Sequence, residues 1–405
     1  MSVRLLSLFF MNVRQKLEVI QKMGGFTQTE LANKIGVSFV ALNSWWNQKS
    51  TPRPKKLALI DEFYLEITGQ KIIPEDQLEA KKQALKNRGY KYTENNVAII
   101  LMSKFMTDQK IRDELFLRLT YHSNKIEGST LSERETAAIL FDNVVIPGKS
   151  LTEHLEAKNH QEALFYMFEY ILDGGRIDEK FVLRLHSILM NGILHEAGFY
   201  RNHGVRIVGV YLPTANYLKI PDLMPELMME AAKSEKDIIK LATNVHSRFE
   251  KIHPFSDGNG RVGRLLLNAM LLKANLAPAI IRQEKKQLYY TYLYKAQTTE
   301  DHSLLEDFIC DSIVEGFDIL ERKYVQDFKN LILKKKIILA KEEMQIIDLL
   351  LFGMNSIRVS DVEDFFAVSK FTAQIYLSSL EKKGLIKRHG PKSSGIYTLL
   401  DFNVL

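Results

Sequence analysis

The sequence predicts a mainly α-helical protein in three parts, and three observations carry that reading. From about residue 96 to 325 the apolar residues recur at helical spacing, as in Ile238, Leu241, Ala242, Val245, Phe249 and Ile252. A single β-like stretch, 205–220, interrupts this pattern, with Gly204, Gly209, Pro213 and Pro221 as breakers. Each end has its own pattern: short helices over 12–95, and helix, helix, helix and a short strand pair around Ile386 and Ile396 over 335–405.

In the first part, Thr27, Gln28, Thr29, Glu30 and Leu31 lead to a tight turn at Gly36. Ser38 then stands where it would cap a second helix carrying Leu42, Asn43, Ser44 and Trp45. The segment resembles the helix-turn-helix of Cro and phage repressors, which implies Phe39, Asn43, Ser44 and Asn47 at a major groove and Lys49, Arg53, Lys55 and Lys56 near phosphates. One of Trp45 and Trp46 is expected in the core. Charge points the same way. Residues 1–95 hold 15 Lys and Arg against 9 Asp and Glu, so the whole net charge of +6 lies there, much of it in the tract Lys81, Lys82, Lys86, Arg88 and Lys91. Double-stranded DNA is the expected partner of this part, with a helical protein-docking module as the alternative.

The central part holds the chemistry. Residues 253–264 read His-Pro-Phe-Ser-Asp-Gly-Asn-Gly-Arg-Val-Gly-Arg between two helical patterns. Glycines 258 and 260 let backbone N–H groups turn inward, and the following helix offers its positive N-terminus, together an anion cradle. Arg261 and Arg264, three apart, can clamp phosphate oxygens. Asp257 is a hard carboxylate suited to Mg²⁺, and His253 a base for a hydroxyl proton. The same residues match GxGxxG, with Glu284 further on. A dinucleotide fold would need a strand before Gly258, however, where a helix is expected.

Residues 253–264 match the Fic-domain signature HxFx(D/E)GNGRxxR at every fixed position, and the chain is identified by it as resembling that family of protein adenylyltransferases. The resemblance covers roughly 100–320 and implies a Fic-type helical core with a small β-hairpin flap at 205–220, after Gly198, Phe199, Tyr200 and Arg201. It implies His253 as the general base, Asp257 as the Mg²⁺ ligand, and Gly258, Asn259, Gly260, Arg261 and Arg264 as the nucleotide cradle. Tyr290, beside Tyr289, and Gln297 are similar to the adenine-packing segment, with Gln297 in place of the expected asparagine. Upstream, Ser123, Asn124, Lys125, Ile126, Glu127 and Gly128 resemble the inhibitory motif (S/T)xxxE(G/N) of class II members, which implies that Glu127, with Ser123, occupies Arg264 in place of the γ-phosphate.

In the third part, Val359, Ser360, Asp361 and Val362, the run from Val368 to Leu380, and Lys383 to Tyr397 resemble a winged helix. The expected organisation is therefore a helix-turn-helix-like domain at 12–95, a catalytic domain at 96–325 with the inhibitory segment 123–128, and a winged helix-like domain at 335–405.

The expected function is transfer of AMP from ATP, with Mg²⁺, to a Ser, Thr or Tyr hydroxyl of a target protein. Auto-modification is expected, and a homodimer is compatible with the sequence. The alternatives are a DNA-binding regulator using the core as a nucleotide sensor, and an enzyme removing AMP. Cys310, the one cysteine, excludes an internal disulfide and fits a reducing compartment. No apolar run approaches a bilayer span, so the expectation is a cytoplasmic protein without a membrane partner.

Overall fold

The computed structural model describes residues 11–90, 105–106, 108–206, 212–233, 235–350, 356–391 and 395–400. The fold is mainly helical, with one small sheet. Among the described residues no helix is long and apolar enough to cross a membrane.

The N-terminal unit is built from α1 (Val13–Gly24), α2 (Gln28–Ile35), α3 (Phe39–Trp46) and α4 (Pro54–Ile67). Local chemistry sets each boundary. Thr27 and Glu30 close a reciprocal capping box on α2, Gly36 ends it in the left-handed region at φ 70°, and the Ser38 hydroxyl accepts from Ala41 N–H to start α3. Leu17, Ile20, Leu31, Ile35, Leu42, Trp45, Ile60 and Tyr64 form the core of this unit. Phe39, Val40 and Asn43 are left on its exposed face.

The basic tract that follows is spent inside the protein. Its helix α5 (Glu75–Tyr90) packs along α14 (Ser303–Lys335), and Leu78 and Leu85 join the central core rather than the N-terminal one. Lys81 pairs with Asp307 at 2.6 Å and Asp311 at 2.7 Å, Lys82 with Asp237 at 2.7 Å and with Glu306, and Arg88 with Asp318 at 3.1 Å. Lys86 donates to the Lys236 carbonyl. These charges answer carboxylates of the central domain and are not a surface for a polyanion; Lys91 lies outside the described residues.

The central domain comprises α6 (Gln109–Ile126), α7 (Glu133–Asp142), α8 (Leu151–Leu172), α9 (Glu179–Leu189), α10 (Ile220–Ala231), α11 (Ile238–Ile252), α12 (Asn259–Lys273), α13 (Lys286–Thr299) and α14. Two neighbours in sequence, α11 and α12, pack on each other, with α8 and α9 against α12 and α10, α13 and α14 against α11. Buried Val245, Phe249, Val262, Leu266 and Ala269 make the seam. A helix, not a strand, precedes Gly258, so the GxGxxG match has no dinucleotide-fold context.

The hairpin expected at 205–220 falls partly at 207–211, outside the described residues. Its described arms are irregular and lead into a 3₁₀ turn, Tyr217–Lys219. The arms are tied together, since Thr214 Oγ1 donates to the Val205 carbonyl at 3.0 Å.

At the C-terminus, α15 (Lys341–Asp348), α16 (Val359–Phe366) and α17 (Lys370–Lys382) pack on a sheet of β1 (Ile357–Arg358), β2 (Ile386–His389) and β3 (Ile396–Leu399). The order is β1-β3-β2, antiparallel throughout, with Ile357 opposite Tyr397 and Ile386 opposite Leu399. Ile346, Val362, Leu377, Leu380 and Tyr397 form a separate core.

Candidate active site

The site is the loop between α11 and α12. His253 stands just past the end of α11 at φ 54°, a left-handed conformation that a side chain other than glycine rarely adopts. The loop is pinned around it. Asn259 exchanges two hydrogen bonds with Phe255, its amide donating to the carbonyl and its Oδ1 accepting the N–H, both at 2.8 Å. The Asn259 side chain thus shapes the loop and leaves only its backbone to the cradle. Gly258 follows at φ 78°, where a β-carbon would strike Met190 Sδ.

The protonation state of His253 follows from its partner. Its Nδ1 lies 3.2 Å from the Glu250 carbonyl, which only accepts, so Nδ1 carries the proton and the lone pair is on Nε2. Burial holds its pKa below the ordinary 6.5, outweighing the carbonyl contact that favours the charged form. At neutral pH the ring is a neutral base.

Two residues outside the motif's chemistry hold this loop. Arg201 is buried; its Nε donates to the His253 carbonyl at 2.7 Å, and its Nη atoms to His203 and Ala215 carbonyls at 2.7 and 2.6 Å. One guanidinium thereby ties the base's backbone to Ala215 within the 205–220 segment and to His203 just before it. His186 of α9 accepts from Gly198 N–H at Nδ1 (2.8 Å), so Nε2 carries the proton and donates to the Asp257 carbonyl at 3.1 Å. Its ring stacks on Phe255 with centroids 3.7 Å apart, and burial lowers its pKa to about 4.

The two arginines rise from the first turn of α12 into a buried compartment. Arg261 Nη1 donates to Glu156 Oε1 of α8 at 2.7 Å, while its Nε is buried without a partner. A buried donor without a partner in the first turn of a helix suits an anion. Arg264 is held at Nε and Nη2: Nε donates to Ser123 Oγ and Nη2 to the Ser123 carbonyl, both at 3.0 Å, and Nη2 donates to Glu127 Oε1 at 2.6 Å. Burial alone would raise the Glu127 pKa, but the Arg264 charge overrides it and holds the carboxyl below its usual range. A β-carbon at Gly260 would overlap Glu127 Oε1, so this glycine lets the carboxylate reach the arginine. Gly128 closes the segment at φ 105°.

Asp257 is well exposed; its Oδ1 accepts from Gly258 N–H at 2.6 Å and its Oδ2 stands 3.8 Å from Arg261 Nη2. A single outward carboxylate beside a phosphate cradle fits Mg²⁺, which commonly takes one or two protein oxygens plus phosphates and water. Among the described residues no group of three or more metal-ligating side chains gathers elsewhere.

The adenine-side expectations divide. Tyr290 is half-buried with Lys286 Nζ 5.7 Å from its ring centroid. Tyr289 is core; its hydroxyl donates at 2.7 Å to His246 Nε2, because His246 Nδ1 donates to the Gly263 carbonyl. Gln297 is buried with Nε2 donating to the Ser247 carbonyl at 3.0 Å, which braces α13 on α11. Glu156, His186, Arg201 and Glu250 are the site residues that sequence reading did not find. Only Arg201 had a signal, its place after Gly198-Phe199-Tyr200.

Residues 176–271 match the Fic/DOC family, and residues 341–403 match FaeA-like protein. Over 190 residues the chain is 35% identical to "Protein adenylyltransferase Fic" of Nematostella vectensis, covering 45% of this chain and 44% of that protein. Over 196 residues it is 35% identical to "Protein adenylyltransferase fic-1" of Caenorhabditis elegans, covering 46% and 38%. The chain thus spans less than half the length of these curated relatives. Among solved structures, Fic-1 residues 134–508 from C. elegans superimposes with a TM-score of 0.53 at 21% identity, over 78% of this chain and 89% of that one. At that identity the likeness is one of fold.

Proposed function

We propose that this protein, whose residues 176–271 match the Fic/DOC family, transfers AMP from ATP to a Ser, Thr or Tyr hydroxyl of a protein. The observation that carries this reading is His253, neutral, with its Nε2 lone pair beside a cradle in which Arg261 Nε lacks a partner. The target hydroxyl oxygen attacks the α-phosphorus in line and its proton passes to His253 Nε2. The bond to the β-phosphate bridging oxygen breaks, and pyrophosphate leaves. Arg261 and the N–H groups at the start of α12 bind the phosphate oxygens, and Arg201 keeps the base and the 205–220 segment in one frame. Mg²⁺ held by Asp257 would neutralise phosphate charge. The test is incubation with α-labelled ATP and Mg²⁺, alone and with cell lysate, followed for protein-bound label.

In the resting protein we read the Glu127 contact as inhibitory: while the carboxylate holds Arg264, a γ-phosphate has no partner there. Asp257→Ala is expected to lose transfer by about 10²-fold or more and to lose its dependence on Mg²⁺. A titration of rate against Mg²⁺ checks it, and an unchanged rate and midpoint would remove Asp257 as ligand.

For the N-terminal unit we propose contact with double-stranded DNA through α3 and the exposed Lys49, Arg53 and Lys55. The basic tract of α5 has no part in it, being paired internally. With three phosphate contacts the affinity of the whole protein for duplex DNA should fall about 40-fold between roughly 50 and 200 mM salt. Fluorescence anisotropy reads this, and absence of binding at low salt would favour a docking module.

A further inference from the structure

Glu250 sits one turn before His253 on α11 and has no role in the chemistry above. It is buried, its Oε1 has no hydrogen-bond partner, and a β-carbon at Gly263 would overlap that oxygen. Gly263 therefore exists to admit a carboxyl against the helix that carries Arg264. Burial pushes the Glu250 pKa up to about 8; the Arg264 charge offsets this in part, and the Glu127 charge adds a smaller upward push. Beside the Arg261–Glu156 pair, the surroundings of Arg264 thus hold one ionised carboxylate, Glu127, and one acid that burial keeps protonated, Glu250.

Resting on the reading of Arg264 as a phosphate partner, we propose that Glu250 is a positioning residue that must carry a proton for a nucleotide phosphate to share Arg264. Two anions cannot be accommodated around one buried guanidinium without a large cost. Glu127 is the anion in the resting state. A γ-phosphate is the anion after it leaves, and in both states Glu250 stays neutral. When neither is present, Glu250 is the only acid left to balance Arg264 and ionises more readily. Nucleotide binding to protein lacking Glu127 is therefore accompanied by proton uptake at Glu250.

The surrounding groups leave Glu250 as the one that titrates near neutrality. On its own helix His246 is neutral, its pKa lowered to about 3 by burial, and His253 lies below 6.5. From α13, Tyr289 and Tyr290 are shifted upward by burial. Arg264 of α12 stays charged, its burial outweighed by the neighbouring Glu127 carboxylate. Glu230 of α10 is turned to Asn244 and Arg248, and Glu306 of α14 to Lys82.

The experiment is calorimetric titration of Mg²⁺·ATP into Glu127→Gly and into Glu127→Gly/Glu250→Gln across about pH 6.5 to 9. The affinity of Glu127→Gly should fall by about tenfold or more as pH rises, while the double variant, whose amide is permanently neutral, should change by less than about threefold. Equal slopes, or no slope in either, overturn the proposal. If neither variant binds ATP at pH 7, the nucleotide reading itself fails and takes this one with it.

Thermal melting of Glu250→Gln against the parent is a second measure. A carboxyl raised from an ordinary value near 4.5 to about 8 loses the parent stability as pH rises through that interval and no further above it. The melting temperature of the parent should therefore fall relative to Glu250→Gln between about pH 5 and 8. Parallel melting curves overturn the placement of that proton.

Discussion

His253→Ala is expected to lower AMP transfer by about 10²- to 10⁴-fold while Mg²⁺·ATP affinity stays within about threefold of the parent. The split follows from the geometry. On the proposed reading the imidazole is the proton acceptor, whereas the phosphates would rest on Arg261 and the N-terminus of α12, neither of which bonds to the His253 side chain. Backbone consequences are limited, because Arg201 holds the His253 carbonyl and Asn259 holds Phe255 whatever side chain stands at 253. Single-turnover labelling and equilibrium titration measure the two quantities, and an equal loss in both would make His253 structural. The pH profile carries the same signature. A base whose pKa burial lowers below 6.5 is active above that value, so the acid limb should fall on the acid side of pH 6.5 and vanish in the alanine variant.

Glu127→Gly is expected to raise auto-modification by about 10²-fold, the scale of relieving a misaligned reacting phosphorus. Glu127 binds one edge of Arg264 through Nη2 while Ser123 holds Nε and its carbonyl shares Nη2. Removing the carboxylate frees that edge and leaves Ser123 to orient the guanidinium. Arg264→Ala should not imitate the activation, since it deletes the phosphate partner along with the inhibitory one, and the double variant should be as inactive as Arg264→Ala alone. Labelling with α-labelled ATP decides it. If Glu127→Gly labels at the level of the parent, the 123–128 segment is an ordinary helix end whose carboxylate happens to meet an arginine.

Much of the site could be read because its chemistry is local. A left-handed Gly258, two arginines three apart and a histidine at the loop mouth need only twelve consecutive residues. Helix boundaries were similarly local, as at Thr27 with Glu30 and at Ser38. The reach of Ser123 and Glu127 to Arg264, 141 and 137 residues away, came through resemblance, and no spacing rule would have found it.

The N-terminal charge shows how reading by composition misleads. Counting located the excess at residues 1–95 but could not tell a solvated lysine from one whose partner lies over two hundred residues on, as Lys81 and Asp307 do. The Gln297 bond to Ser247, fifty residues back, is likewise a partner that only the packing of α13 on α11 reveals.

What the sequence determined by itself was the set of reactive groups, their order, and the helices that carry them, because helix caps, apolar periodicity and glycine turns act over a few residues. Only the tertiary structure decided which group is charged, which is satisfied and which waits for a partner. It supplied Glu156 to Arg261, His186 to the Asp257 carbonyl, Arg201 to His253, and a Glu250 whose pKa burial pushes up to about 8. Those outcomes depend on burial and on distance between segments remote in sequence, which set desolvation and Coulomb energies and so the protonation of each group.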